Sequence, residues 1–243
     1  MDDFIPTREQ PQQRWQDRIQ ALIEVLLLSG LVSGFFAVLP FSLRARGNLS
    51  LTKDVTTVAL YLLLESWIAL VILYAVMRAH GETPRDLGWR TRHWRSDSII
   101  GAALVPALFL FSAAVNYSFR TWLPHYYVDQ NPLTQTIQTP RDLGLFLVAA
   151  LIAGGIKEEL QRAFILIRFR DHLGGSGLGL LVWSVAFGAG HYVQGPQGVV
   201  SATLFGFMFG LVYLARRSLI APIVAHSLYD TAAILGYWFT RSS

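Results

Sequence analysis

Residues 154–166 read GGIKEELQRAFIL, which sets Lys157, Glu158, Glu159 and Arg162 between the apolar runs LGLFLVAALIA and FILI. A charge at bilayer depth costs about 2.5–3.5 kcal/mol on insertion scales and is kept for a task or for a partner. Two more polar groups stand in apolar surroundings downstream: Phe187-Gly188-Ala189-Gly190-His191 and His226-Ser227-Leu228-Tyr229-Asp230. Glu158 and Arg162 are four residues apart, as are Phe187 and His191, and His226 and Asp230, so each pair shares one face of its helix. Three such faces turned to one interior would bring carboxylates to imidazoles. A carboxylate beside an imidazole can deprotonate a water, and a second imidazole can stabilise the negative charge that builds when this water attacks an amide carbonyl. Taken singly, each group also has a structural reading. A lone His packs, Glu158 with Arg162 ties helices together, and Phe187 with Gly188 and Gly190 lets two helices approach closely. Within a membrane the set as a whole favours hydrolysis.

The elements that would carry these residues follow from composition. Of 243 residues 53% are hydrophobic and 15% charged, with mean hydropathy +0.40, against roughly 25% charged in soluble domains. Apolar runs fall at about residues 21–42, 55–77, 98–118, 142–168, 176–195, 197–215 and 218–240, and about 20 residues span a ~30 Å hydrocarbon core. The expected fold is therefore all-α, a polytopic integral membrane protein of about seven transmembrane helices. It would form one integral domain: a polar lead-in over 1–20, N-terminal helices and loops over 21–140, and the chemical core over 141–243. The lead-in lacks the short apolar region and small-residue cleavage site of a signal peptide. The fifth and sixth runs are separated only by Gly195-Pro196-Gln197-Gly198, a turn signal. Glu24 and Glu65 lie within runs and would snorkel or pair. Trp89, Trp94 and Trp122 fit an interfacial aromatic belt.

With no cysteine in the chain, disulfides, thiolate catalysis and Cys-ligated metals are excluded. The net charge of +4 rests on Arg residues in short loops, which suits lipid headgroups and carries no nucleic-acid signature. With the N-terminus in the cytoplasm, twelve Lys and Arg lie on the cytoplasmic side against six outside. The positive-inside rule then predicts N-in and C-out in the plasma (inner) membrane.

The three groups resemble the motifs of the CPBP or Abi family of membrane-embedded proteases, which includes CAAX prenyl endopeptidases of the Rce1 type and bacteriocin-processing or self-immunity proteins. Its motifs run EExxxR, FxxxH and HxxxN on successive membrane helices, and the likeness covers roughly residues 142–240. Phe187 and His191 meet the second motif; His226 and Asp230 meet the third, with Asp in place of Asn. The first is one residue short, because Arg162 follows Glu159 by three. Anchored on Arg162, Lys157 and Glu158 take the two Glu positions; anchored on the Glu pair, Ala163 takes the Arg position. One helical position turns a side chain by ~100°, unless a local bulge corrects it.

The resemblance implies a metal-independent intramembrane endopeptidase acting on a membrane-associated or lipidated protein. Glu158 and His191 would activate the water, His226 and Asp230 would form the oxyanion side, and Glu159, Arg162 and Phe187 would accompany them. An ionised Asp only accepts hydrogen bonds, so Asp230 is expected to orient His226 from behind and keep it protonated. Two His with two or three carboxylates would also satisfy zinc, although the HExxH helix is missing. The alternative in another class is an inactive relative, with Lys157 at the water site, that binds membrane peptides or confers self-immunity.

Overall fold

The computed structural model describes residues 11–45, 54–89 and 92–241, so the first half of the polar lead-in lies outside it. Among the described residues the chain is mostly helical, with no strand. α1 (Pro11–Leu28) and α2 (Leu31–Ala45) follow one line of chain, broken at Ser29-Gly30. Gly30 has φ 88°, a left-handed conformation that glycine adopts at little cost. α3 (Val55–Ala79) starts at Asp54, whose carboxylate accepts from the Thr57 amide, a side-chain N-cap. α4 (Trp94–Trp122) passes close to α9 (Ile220–Thr240) at Gly101, where a Cβ would collide with the Ala221 carbonyl. Close helix approach of this kind is how apolar helices gain packing energy in lipid.

The helix bearing the charged cluster runs in three pieces: α5 (Pro140–Ala150), a π-helix (Leu151–Glu158) and α6 (Glu159–His172). Thr139 and Asp142 start it with a reciprocal capping box and Pro140 takes the first turn, the two features a helix start favours. From Gln161 to Phe169 every residue of α6 is buried, including Gln161, Arg162 and Arg168. Two of these polar side chains are tied to the N-terminal helices, as burial requires. Gln161 donates to the Leu28 carbonyl at the end of α1, and Arg168 binds Glu24 of α1 and Glu82 beyond α3. Glu24 is therefore an interior structural partner. α7 (Ser176–Gly190) packs on α8 (Pro196–Arg216) at Gly188, where a Cβ would meet Thr203.

These elements make seven helical rods, counting α1 with α2 and α5 with α6. By length and composition four of them can cross a bilayer: Arg14–Leu43, Val55–Ala79, Trp94–Trp122 and Pro196–Arg216. Seven rods among the described residues agree with the seven apolar runs expected from the sequence, and three of them fall short of that length or hydropathy. α7 has only 15 residues, and the rods of α5–α6 and α9 carry the polar residues of the cluster. The predicted turn 195–198 lies further upstream: the connection runs from His191 through a 3-10 turn at Tyr192–Gln194 to Gly195, at φ 82°, and Pro196 already opens α8. Trp89, Trp94 and Trp122 are all exposed, as an interfacial belt requires.

Candidate active site

The π-helix places the acid cluster. Its i→i+5 bonding holds more residues per turn than an α-helix and shifts the face presented by the next turn, and such segments are frequent at functional sites. Two neighbouring carboxylates leave it in different directions. Glu159 turns inward, 1% exposed, and binds Arg162 and His226 Nδ1, the latter at 2.7 Å. Glu158 stays at a cavity wall: its Oε2 is buried without a hydrogen-bond partner, 3.8 Å from His226 Nε2. An oxygen bonded at ~2.8 Å to both atoms fits that gap.

Two expectations are corrected here. Arg162 pairs with Glu159 and not with Glu158; residues three and four apart are both neighbours on a helix, and three is the spacing this helix uses. The carboxylate behind His226 is likewise Glu159. Asp230 Oδ2 lies 3.6 Å from Nε2, on the opposite ring nitrogen and beside the cavity.

Arg162 is fully buried, with Nε and Nη2 free of hydrogen bonds. Its guanidinium instead faces the rings of Phe187 and Phe209, at 5.0 and 5.3 Å, and a desolvated cation on an aromatic face gains about 2 kcal/mol or more. Phe209 also stacks on His226 at 4.8 Å. The sequence offers no signal for Phe209, one aromatic among many in an apolar helix. Phe187 holds its predicted place, 4.6 Å from the His191 ring and 6.2 Å from that of His226.

His191 caps the end of α7. Its Nδ1 lies 2.8 Å from the Phe187 carbonyl, one of the orphan acceptors at a helix C-terminus. Since a carbonyl only accepts, Nδ1 carries the proton there, and Nε2 keeps its lone pair in the neutral ring. Lys157 faces elsewhere. Its ammonium meets Glu65 of α3 at 2.8 Å and stands 3.7 Å from Glu158 Oε1, while Ser33 Oγ donates to the other Glu65 oxygen at 2.6 Å.

Glu158, His191, His226 and Asp230 all line a cavity of about 1050 Å³. Apolar walls come from α3, α5 and α9, and the segment between α4 and α5 adds Asn131 and Thr134. That segment is held down at Val128, whose carbonyl and amide both bond the Gln197 side chain, and at Ile137 and Gln138, whose carbonyls bind Arg241. The backbone nearest the acids is glycine: a Cβ on Gly154 would lie 2.7 Å from Asp230 Oδ2 and 3.2 Å from His226 Nε2. Gly154→Ala should therefore give a folded protein in which Asp230 is displaced. Misplacement near 1 Å can cost roughly 10²-fold in turnover, measurable as a fall in kcat on a peptide substrate. Wild-type turnover from that variant would mean that the Asp230 position is immaterial.

Among the described residues no group of three His, Asp or Glu side chains is arranged to hold a metal ion. His226 turns Nδ1 to Glu159 and His191 turns Nδ1 to the Phe187 carbonyl, which leaves each ring its second nitrogen, Nε2.

No curated protein and no solved structure matches the chain. Residues 140–232 match a family model described as type II CAAX prenyl endopeptidase Rce1-like. The match runs from the start of α5 into α9 and includes Glu158, Glu159, His191, His226 and Asp230. Over residues 140–232 the chain is thus similar to the Rce1-like endopeptidases.

Proposed function

We propose that this protein is an intramembrane endopeptidase that hydrolyses a peptide bond of a membrane-associated, lipidated protein with water activated by Glu158 and His191. The family match supports a CAAX-type endopeptidase at family level. The observation that carries the finer reading is the open Oε2 of Glu158 at the cavity wall, 3.8 Å from His226 Nε2. A buried carboxylate oxygen without a donor is costly, and a bound water between Glu158 and the free Nε2 of His191 would satisfy it. Glu158 takes a proton from that water as its oxygen attacks the scissile carbonyl carbon. His226, charged, gives Nδ1–H to Glu159 and offers Nε2–H to the developing oxyanion. Collapse of the tetrahedral intermediate breaks the C–N bond, and the proton held by Glu158 passes to the leaving amine. Asp230 borders the oxyanion side and keeps His226 Nε2 directed there.

Lys157 is drawn towards Glu65 and is not among the residues around the cavity, which speaks for the cutting reading over a peptide-binding one. No step of this reaction needs a metal. In vesicles containing the purified protein, hydrolysis of an internally quenched prenylated CAAX peptide should continue unchanged with millimolar EDTA or phenanthroline and disappear with Glu158→Gln. Loss of activity with chelator and its return with zinc would overturn the metal-free mechanism. The excess of Arg in alternate loops supports an N-terminus in the cytoplasm and residence in the plasma (inner) membrane.

A further inference from the structure

The proposed base, Glu158, has an ammonium as its sequence neighbour, and both are in the interior. Lys157 and Glu65 are each about 8% exposed at the side chain. A buried ammonium closes on whatever carboxylate it can reach. Lys157 has two within reach: Glu65 Oε2 at 2.8 Å and Glu158 Oε1 at 3.7 Å. The choice between them falls on Glu65 because that carboxylate is itself fixed from the far side. Ser33 of α2, fully buried, donates to its Oε1 at 2.6 Å, so Oε2 stays aimed at the ammonium. Ser33 and Glu65 lie on α2 and α3, outside the Rce1-like segment.

We propose that Glu65 is a positioning residue for the reaction: by taking the Lys157 ammonium, it leaves the Glu158 carboxylate open to the cavity. The inference rests on Glu158 being the base. Without the charge on Glu65, the nearest acid for Lys157 is Glu158, and a short contact there would occupy the carboxylate that must accept a proton from water.

Glu65→Gln keeps an oxygen for Ser33 but no charge for Lys157. Assayed on the quenched prenylated CAAX peptide in vesicles, it should lower kcat by at least about tenfold with KM within about twofold, since the loss is of general-base catalysis and not of peptide binding. Adding Lys157→Met to Glu65→Gln should restore kcat to within about threefold of the wild type, because the competing cation is gone. A purely structural Glu65 would not be rescued in this way. Wild-type kcat in Glu65→Gln, or a folded double variant as slow as the single one, would overturn the proposal. If Glu65→Gln alone fails to fold, the double variant, which buries no unpaired charge, decides by the same criterion. A structure of Glu65→Gln gives a readout independent of turnover: Lys157 Nζ should close to hydrogen-bond distance of Glu158, and an ammonium left in place would overturn the inference. Failure of the wild type to cut the peptide, or undiminished cutting by Glu158→Gln, counts against the proposed function and leaves the structural readout standing.

Discussion

Glu158→Gln should insert and fold as the wild type does and should cut no peptide. The amide has the shape of the carboxylate but cannot accept a proton, so general-base catalysis worth about 10²–10⁴-fold is lost. Folding should survive, because Glu158 makes no hydrogen bond that the fold depends on: its Oε2 is unpartnered and its nearest cation is 3.7 Å away. Glu159→Gln is the informative contrast. An amide oxygen there still accepts from His226 Nδ1–H but no longer balances Arg162, so its effect should reach stability and turnover together. Initial rates in vesicles, alongside yields from size-exclusion chromatography, separate the two. If Glu159→Gln abolishes cleavage in a stable protein while Glu158→Gln retains it, the roles of the two acids are reversed.

Arg162→Ala should be the most destabilising single substitution at the site. It strips Glu159, 1% exposed, of its cation and leaves a space between Phe187 and Phe209. Breaking a buried ion pair from one side costs about 3–5 kcal/mol. At about 2–4 °C per kcal/mol for a chain of this size, the melting temperature in detergent should fall by about 6–20 °C. Arg162→Met with Glu159→Gln removes both charges, keeps volume between the rings and should recover most of that loss. A single variant melting within ~2 °C of the wild type would show that Glu159 finds another partner.

The three polar groups and the helices that carry them were legible in the sequence, because polar residues in apolar runs stand out and i, i+4 spacing marks a face. The rods appear near the expected bounds, α8 and α9 within a few residues. The features that escaped have no local signature. The π-helix depends on which carbonyl each amide chooses, and apolar pattern does not report that. The partner of Arg162 was misassigned because spacings of three and four both make contact on a helix. Glu65 was visible as a charge within a run, but its bond to Lys157 joins residues far apart in sequence. Phe209 and the 128–138 border of the cavity likewise come from tertiary packing.

The ion pairs also bear on how such a chain enters a bilayer during synthesis. When α6 emerges, Arg162 already has Glu159 three residues away, and Lys157 can reach Glu65 on a helix made earlier. Gln161 and Arg168 likewise find Leu28 and Glu24 in α1. The charged rod can thus be handed to lipid with nearly every burden cancelled by groups already in place. Glu158 is the exception: its imidazole neighbours, His191 and His226, are still untranslated. The group that waits for α9 is the one proposed as the base, so the nascent protein holds no assembled site until that helix has arrived.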